Sequence, residues 1–250
     1  MTVALYEFPL CEKVRNYLRL EQLFQQLNEA AKAQTEYQYL YFFEVLFDLI
    51  DLIERLDLRA DFIRDIDAQE KNLAHWSQHP DIDSSALDQA LQGLSLLSSQ
   101  LKTNKKLGSG VREESLLNAI RQRFAIPGGA TSFDLPVLFC WLKQANEIKN
   151  ANVRTWKAHL ILVEDCIATL MSFLRERSRF TSVSATNAFY QGNVEDKTEL
   201  IRVKCDNTQG YYPVLSGNKY RYGIRFMSLS ADDASSSAIT LDIDFEIASC

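Results

Sequence analysis

No run of eighteen consecutive apolar residues occurs in this chain, so no membrane-spanning helix is expected. The longest candidate, around Leu40 to Ile53, is interrupted by Glu44, Asp48 and Asp51. Cysteine is scarce and unpatterned. Cys11, Cys140, Cys166, Cys205 and Cys250 are odd in number, scattered and without a CxxC pair. That argues against a disulfide frame or a cysteine-built zinc site and fits small buried thiols in a reducing compartment. Cys250 is expected to be exposed, and it lacks the CaaX arrangement that lipidation requires. Positive charge is not in excess: the net charge of −6 carries no footprint of nucleic-acid binding. The one lysine cluster, Lys102, Lys105 and Lys106, has no neighbouring aromatic residue for base stacking. MTVALYEFPL lacks a basic n-region and a long apolar core, so no signal peptide is expected.

Catalytic motifs are missing as well. Pro127-Gly128-Gly129 lacks the GK[ST] ending of a phosphate loop and the GxGxxG spacing, and no GxSxG occurs. His75 and His79 stand four apart on a helical pattern, a metal-compatible spacing, but no third ligand is near, and no metal or cofactor is expected. Glu113 and Glu114 are adjacent rather than facing. These absences favour a binding protein over an enzyme. An enzyme would need a site assembled from distant residues, such as a deep pocket joining a carboxylate to His159.

Apolar residues make up 46% of the chain and charged residues 24%, which argues against disorder. Two hundred and fifty residues suffice for one large domain or two modest ones. Thr2 to Phe8 reads as a strand ended by Pro9. Helical spacing follows: Val14, Tyr17, Leu18, Phe24 and Leu27; then Leu40, Phe43, Leu46, Phe47, Ile50 and Ile53; then Leu58, Phe62, Ile66 and Leu73, broken at His79-Pro80-Asp81. Leu87, Leu91, Leu94, Leu97 and Leu101 form a fourth run, with Asp83 or Ser84 as N-cap. Lys102 to Gly110 reads as a loop and Glu113 to Phe124 as a helix. Ser132 or Asp134 would cap the next helix, with Pro136 in its first turn. The longest helix is predicted over about Asn152 to Arg177, with Arg175 and Arg177 at its negative end.

After Ser178 alternation replaces helical spacing. Ile201, Val203 and Cys205 oppose Arg202, Lys204 and Asp206. Ile239, Leu241, Ile243, Phe245 and Ile247 oppose Thr240, Asp242, Asp244 and Glu246. The first strand should join this sheet. The predicted fold is α+β: a mainly α-helical bundle domain over residues 11–178, and a small antiparallel β domain over 179–250 formed mostly by the C-terminal third and joined by the N-terminal strand 1–10.

The stretch Tyr211 to Met227, YYPVLSGNKYRYGIRFM, carries the candidate site. Tyr220, Tyr222, Ile224 and Phe226 alternate with Arg221, Gly223, Arg225 and Met227. Both arginines then stand on one outer face, about 13 Å apart at strand rise. Gly223 between them leaves a bare notch of backbone, and two cations flanking a notch suit a peptide with acidic groups. The competing reading pairs these arginines with the acidic row Asp242, Asp244 and Glu246 on a neighbouring strand.

The same stretch resembles the ZapD family of bacterial cell-division proteins, where a run close to SGxKxRxxIRFM sits near the C-terminus. Three more blocks match in order: YEFPLCEKVRNYLRLE from Tyr6 to Glu21, VREESLLNAIRQRFAIPGGATSFDLPVLFCWL from Val111 to Leu142, and Phe189-Tyr190-Gln191. The resemblance covers roughly the whole chain. It implies a non-enzymatic cytoplasmic homodimer, recruited to the division ring at midcell. Such a protein binds the C-terminal tail of the tubulin-like FtsZ, crosslinks and bundles its protofilaments, stabilises the Z ring and lowers FtsZ GTPase activity. Arg221 and Arg225 match arginines of the family's basic pocket. Arg55, in DLIERLDLR, matches a third member, and Arg19, in VRNYLRLE, is a similar case. The chain departs from some relatives at Ser115, where they have a basic residue, and at Phe139, where they have histidine.

Overall fold

The computed structural model describes residues 3–76, 84–104, 106–218, 220–229 and 241–250. Its helices are α1 (Glu12–Ala30), α2 (Glu36–Arg55), α3 (Leu58–Trp76), α4 (Ser84–Thr103), α5 (Ser109–Glu113), α6 (Ser115–Phe124), α7 (Pro136–Leu142), α8 (Asn146–Ala158) and α9 (Ile161–Glu176). Its strands are β1 (Val3–Pro9), β2 (Thr181–Ala185), β3 (Phe189–Asn193), β4 (Leu200–Asp206), β5 (Tyr211–Gly217), β6 (Arg221–Ser228) and β7 (Ile243–Ser249). This is the expected class, helices first and antiparallel sheets mostly from the C-terminal strands. The chain divides into two compact units, Met1–Tyr17 with Met171–Cys250, and Leu18–Leu170.

The unit of Leu18–Leu170 is built around α2. Thr35 and Gln38 open that helix with a capping box, each side chain accepting the other's backbone N–H. Tyr39, Phe42, Phe43, Leu46, Leu49 and Ile50 are all buried, so α2 is covered over most of its circumference. The Phe43 ring lies 5.1 Å from Trp141 of α7 and 5.6 Å from Trp156 of α8. The polar ends of this aromatic cluster are satisfied: Trp141 Nε1 donates to Asn152 Oδ1 at 2.9 Å, and Tyr39 donates to Asn150 Oδ1 at 3.1 Å.

Several helix ends differ from the periodicity. The helix expected over Asn152 to Arg177 is two helices, parted at His159 and Leu160, where Leu160 N bonds Lys157 O at 2.9 Å. The helix expected over Glu113 to Phe124 is also two, parted at Glu114, whose backbone is extended. One contact joins both breaks: Glu114 Oε1 lies 3.3 Å from His159 Nε2. The expected loop over Lys102 to Gly110 is shorter because Arg59 holds the end of α4. Its guanidinium donates to the carbonyls of Leu101, Asn104 and Lys102 at 2.9, 3.1 and 3.4 Å. Leu135, not Ser132 or Asp134, precedes α7, because burial of Leu135 sets the entry while Asp134 accepts from Thr131 Oγ1 at 2.9 Å. Pro136 takes the first turn as expected. Ser84 is the first residue of α4; Asp83 and the breaker His79-Pro80-Asp81 lie outside the described residues.

In the unit that joins residues 1–17 to 171–250, the strands expected in one sheet form two. The orders are β1-β4-β7-β2 and β3-β6-β5, with every pairing antiparallel. β1 joins the larger sheet through β4, with Tyr6 opposite Val203. The sheets share a core: Ile201, Val203 and Cys205 of β4 and Phe245 and Ile247 of β7 pack with Tyr222, Ile224 and Phe226 of β6. Phe245 lies 5.2 Å from Phe226 and 5.4 Å from Tyr190, ring to ring.

Arg175 and Arg177 do more than follow the helix dipole. Arg175 donates to the Glu7 carboxylate at 2.9 and 2.6 Å, Arg202 donates to the same carboxylate at 2.9 Å, and Arg177 meets Glu199 at 3.1 Å. Cys250 is buried rather than exposed, because its backbone continues the ladder with Leu200, donating at 2.8 Å and accepting at 2.9 Å. Cys140 is exposed, contrary to the expectation of buried thiols.

Candidate partner-binding face

β6 is the middle strand of the three-stranded sheet. Because Tyr222, Ile224 and Phe226 enter the core, Arg221, Gly223, Arg225 and Met227 face away from it, as the alternation predicts. The register sets Arg225 between Phe189 of β3 and Val214 of β5, Gly223 between Gln191 and Ser216, and Arg221 opposite Asn193. Directly opposite residues share a face, so these side chains form one outer surface. Phe189 and Val214 are 40% and 45% exposed, which makes that surface partly apolar. None of the three strands contains an aspartate or glutamate.

Arg225 does not project freely. Its guanidinium carbon lies 5.3 Å from the Phe189 ring centroid, a cation–π stack that leaves the edges of the planar fork available for a carboxylate. Phe189 also covers the notch expected at Gly223. A Cβ added there would lie 3.0 Å from the ring, so glycine lets the ring pack closely against the strand. Arg221 sits at the other end of β6, beside a turn in which Asn218 Oδ1 accepts the N–H groups of Tyr220 and Arg221 at 2.9 and 3.1 Å.

The competing reading fails on topology. Both edges of β6 are filled by β3 and β5, so the acidic row of β7 has no edge on which to meet it. Asp244 and Glu246 stand opposite Ser184 and Ser182 in the other sheet, Glu246 lies 3.9 Å from Lys204, and Asp242 accepts Asn187 N at 2.9 Å. Among the described residues neither Arg221 nor Arg225 has an ion-pair partner.

Arg55 and Arg19 belong to the helical unit. Arg55 ends α2 with its side chain 76% exposed and Nη2 3.7 Å from Asp51 Oδ2, a loose pair at a helix C-terminus. Arg19 is exposed on α1. The structure thus brings Arg221 and Arg225 onto one strand, with Arg19 and Arg55 on two helices of the other unit.

The residues missed by the pattern are Phe189, Gln191 and Asn193. β3 is only five residues long and contains Gly192, so its alternation is too brief to mark a strand. A carboxylate does meet His159, in Glu114, beside a half-open hollow of about 380 Å³. The ring is wedged over Gly110, where an added Cβ would fall 2.2 Å from Nδ1. With Nε2 on Glu114 and the ring packed against Gly110, the pair acts as a brace between two helix breaks. Among the described residues no group of metal-ligating side chains occurs, and His79 lies outside them. No described helix is long and apolar enough to cross a membrane.

Comparison with known proteins gives a consistent result. A family model described as "ZapD: Cell division protein" matches residues 18–225. A protein named cell division protein ZapD from Idiomarina loihiensis is 36% identical over 246 residues, covering 98% of this chain and 96% of the relative. Proteins of the same name from Vibrio parahaemolyticus and Cronobacter sakazakii are 33% and 34% identical, each over 100% of this chain, and over 100% and 99% of the relative.

Proposed function

Because the chain belongs to the ZapD family of cell-division proteins, we propose that it binds the C-terminal tail of FtsZ on the outer face of its three-stranded sheet. The observation that carries this reading is a sheet bearing Arg221 and Arg225 and no acidic residue, in a protein whose net charge is −6. A local cationic face on an acidic protein attracts an acidic peptide while the remaining surface repels non-specific anionic partners. Arg55 and Arg19, on the helical unit, are further cationic contacts for the same partner. The protein acts without a cofactor and without catalysis, as a cytoplasmic homodimer recruited to the midcell ring. Two tails held by one dimer bridge adjacent protofilaments, which bundles them, stabilises the Z ring and lowers GTP turnover. Each site can be weak, because a filament presents many tails at high effective concentration.

Fluorescence anisotropy of a labelled FtsZ tail peptide tests the reading. Saturable binding that weakens as salt rises is expected. Arg221→Ala and Arg225→Ala should each weaken binding about 10- to 100-fold, the worth of a hydrogen bond to a charged group. The double variant should abolish co-sedimentation with filaments while the fold is kept. Unchanged co-sedimentation would refute the assignment of this face. A monomeric variant should bind the peptide yet fail to bundle.

A further inference from the structure

The two edges of the three-stranded sheet are chemically unlike. In an antiparallel ladder, alternate residues direct their N–H and C=O to one neighbour and the rest to the other side. Leu229 N bonds Gly210 O and Asn218 N bonds Arg221 O, both at positions in register with the β5–β6 ladder. Even-numbered residues of β5 therefore face β6, and Tyr211, Pro213, Leu215 and Gly217 face outward. Pro213 thus puts its missing N–H on the open side, which blunts that edge against further pairing. On the other edge, Phe226 N bonds Ala188 O and Val194 N bonds Tyr220 O, again in register. Even-numbered residues of β3 face β6, and Phe189, Gln191 and Asn193 face outward. Phe189 N is taken by Thr186 O at 3.1 Å, but among the described residues the outward backbone groups of Gln191 and Asn193 have no partner. This edge contains no proline and no charged residue.

We propose that the outer edge of β3 takes an extended acidic peptide as a fourth strand of this sheet; the inference rests on the reading of the basic face given above and specifies how that face holds its partner. An added strand lies about 4.8 Å beyond β3, and its alternate side chains fall on the face shared with Phe189 and Asn193. Arg225 is already turned that way. Its guanidinium lies over Phe189, the residue across the ladder on β3. A carboxylate on the outer face of the added strand meets the fork there, and an apolar side chain on the same face packs against Phe189. Backbone bonds to Gln191 and Asn193 supply pairing that does not depend on sequence, and Arg225 with Phe189 selects an acidic residue beside an apolar one.

The test uses the full chain and the same labelled tail peptide. Gln191→Pro removes the outward N–H without touching the bonds to β6 and copies the situation of Pro213. It should weaken binding by about tenfold, the worth of one to two backbone bonds, whereas Gln191→Ala, which keeps the N–H, should bind within about twofold of the unaltered chain. In parallel, amide exchange at Gln191 and Asn193 should slow at least about tenfold when the unaltered chain is saturated with peptide. Unchanged exchange at both amides overturns the proposal, whether or not Gln191→Pro folds. If the proline variant binds normally while Arg221→Ala with Arg225→Ala does not, the basic face stands and strand addition is wrong. If the unaltered chain does not bind the peptide at all, the basic-face reading fails, and strand addition with it.

Discussion

Replacing Glu7 by glutamine tests how the end of α9 is fastened to the larger sheet. The Glu7 side chain is 14% exposed and accepts three hydrogen bonds, two from Arg175 and one from Arg202, whose side chains are 25% and 14% exposed. Arg202 is further committed, stacking 5.1 Å from the Phe180 ring centroid and donating to Arg175 O at 3.3 Å. The Arg202 guanidinium cannot swing into water without breaking these contacts, so loss of the carboxylate charge leaves it largely desolvated and without that partner, beside Arg175. Breaking a fully buried ion pair from one side costs about 3–5 kcal/mol. The residual exposure here lowers that to about 2–4 kcal/mol, because solvent screens part of the uncompensated charge. All three tryptophans, at 76, 141 and 156, lie in the helical unit, so tryptophan fluorescence does not report on this network. Amide exchange at Ile201 and Val203 of β4 does. It should accelerate about 30- to 1,000-fold in Glu7→Gln under conditions where exchange follows opening equilibria. Glu29→Gln is the control: its pair with Lys32 is 74% and 69% exposed and should contribute less than about 0.5 kcal/mol. An acceleration below about fivefold in Glu7→Gln would refute the reasoning, because it would mean that the two arginines find water or another acceptor at little cost.

Phe43→Ala should cost about 3–5 kcal/mol, since Phe43 is fully buried between Trp141 and Trp156; the urea midpoint followed by tryptophan fluorescence measures it. Hydrogen bonds from Arg121 hold the Glu54 carboxyl below its usual range despite partial burial, so this pair contributes stability that is present above the ordinary glutamate value and lost as pH falls through the depressed folded one. Arg121→Met should accordingly flatten the loss of urea midpoint on acidification, and an identical acid limb in both proteins would count against it. Burial pushes the Cys166 thiol up to about 12, whereas Cys140 is exposed. At pH 8 a maleimide should therefore label Cys140 within minutes and leave Cys166 intact until the protein is unfolded, as read by peptide mass spectrometry.

The parts of this fold that were legible in the sequence are those fixed by local spacing. The face of β6 could be read because eight residues alternate without interruption. The stripe of α2 could be read because its apolar residues keep helical spacing to Ile53. The break at His159 could not, because apolar spacing runs on from Trp156 to Val163 as if one helix continued, while the contact made there is with Glu114, 45 residues away. Strand pairing was hidden for the same reason. Asp244 and Glu246 looked like partners for Arg221 and Arg225 by charge and alternation, yet only the topology assigns β7 to the other sheet. Phe189 is the clearest case at the candidate site: nothing near it in sequence announces that it lies across the ladder from Arg225.

The pairing of β1 with β4 has a consequence for synthesis. Tyr6 leaves the ribosome long before its partner Val203, and at about 5–20 residues per second the wait is about 10 to 40 s. Residues 18–170, which form the other unit, are all translated within that interval. The helical unit can therefore be complete while the first strand still lacks its neighbour. The surface that bears Arg221 and Arg225 is later still, because β6 needs β3 and β5 at its sides and Phe245 and Ile247 of β7 beneath it. A growing chain thus has no finished cationic face until its last strand has emerged.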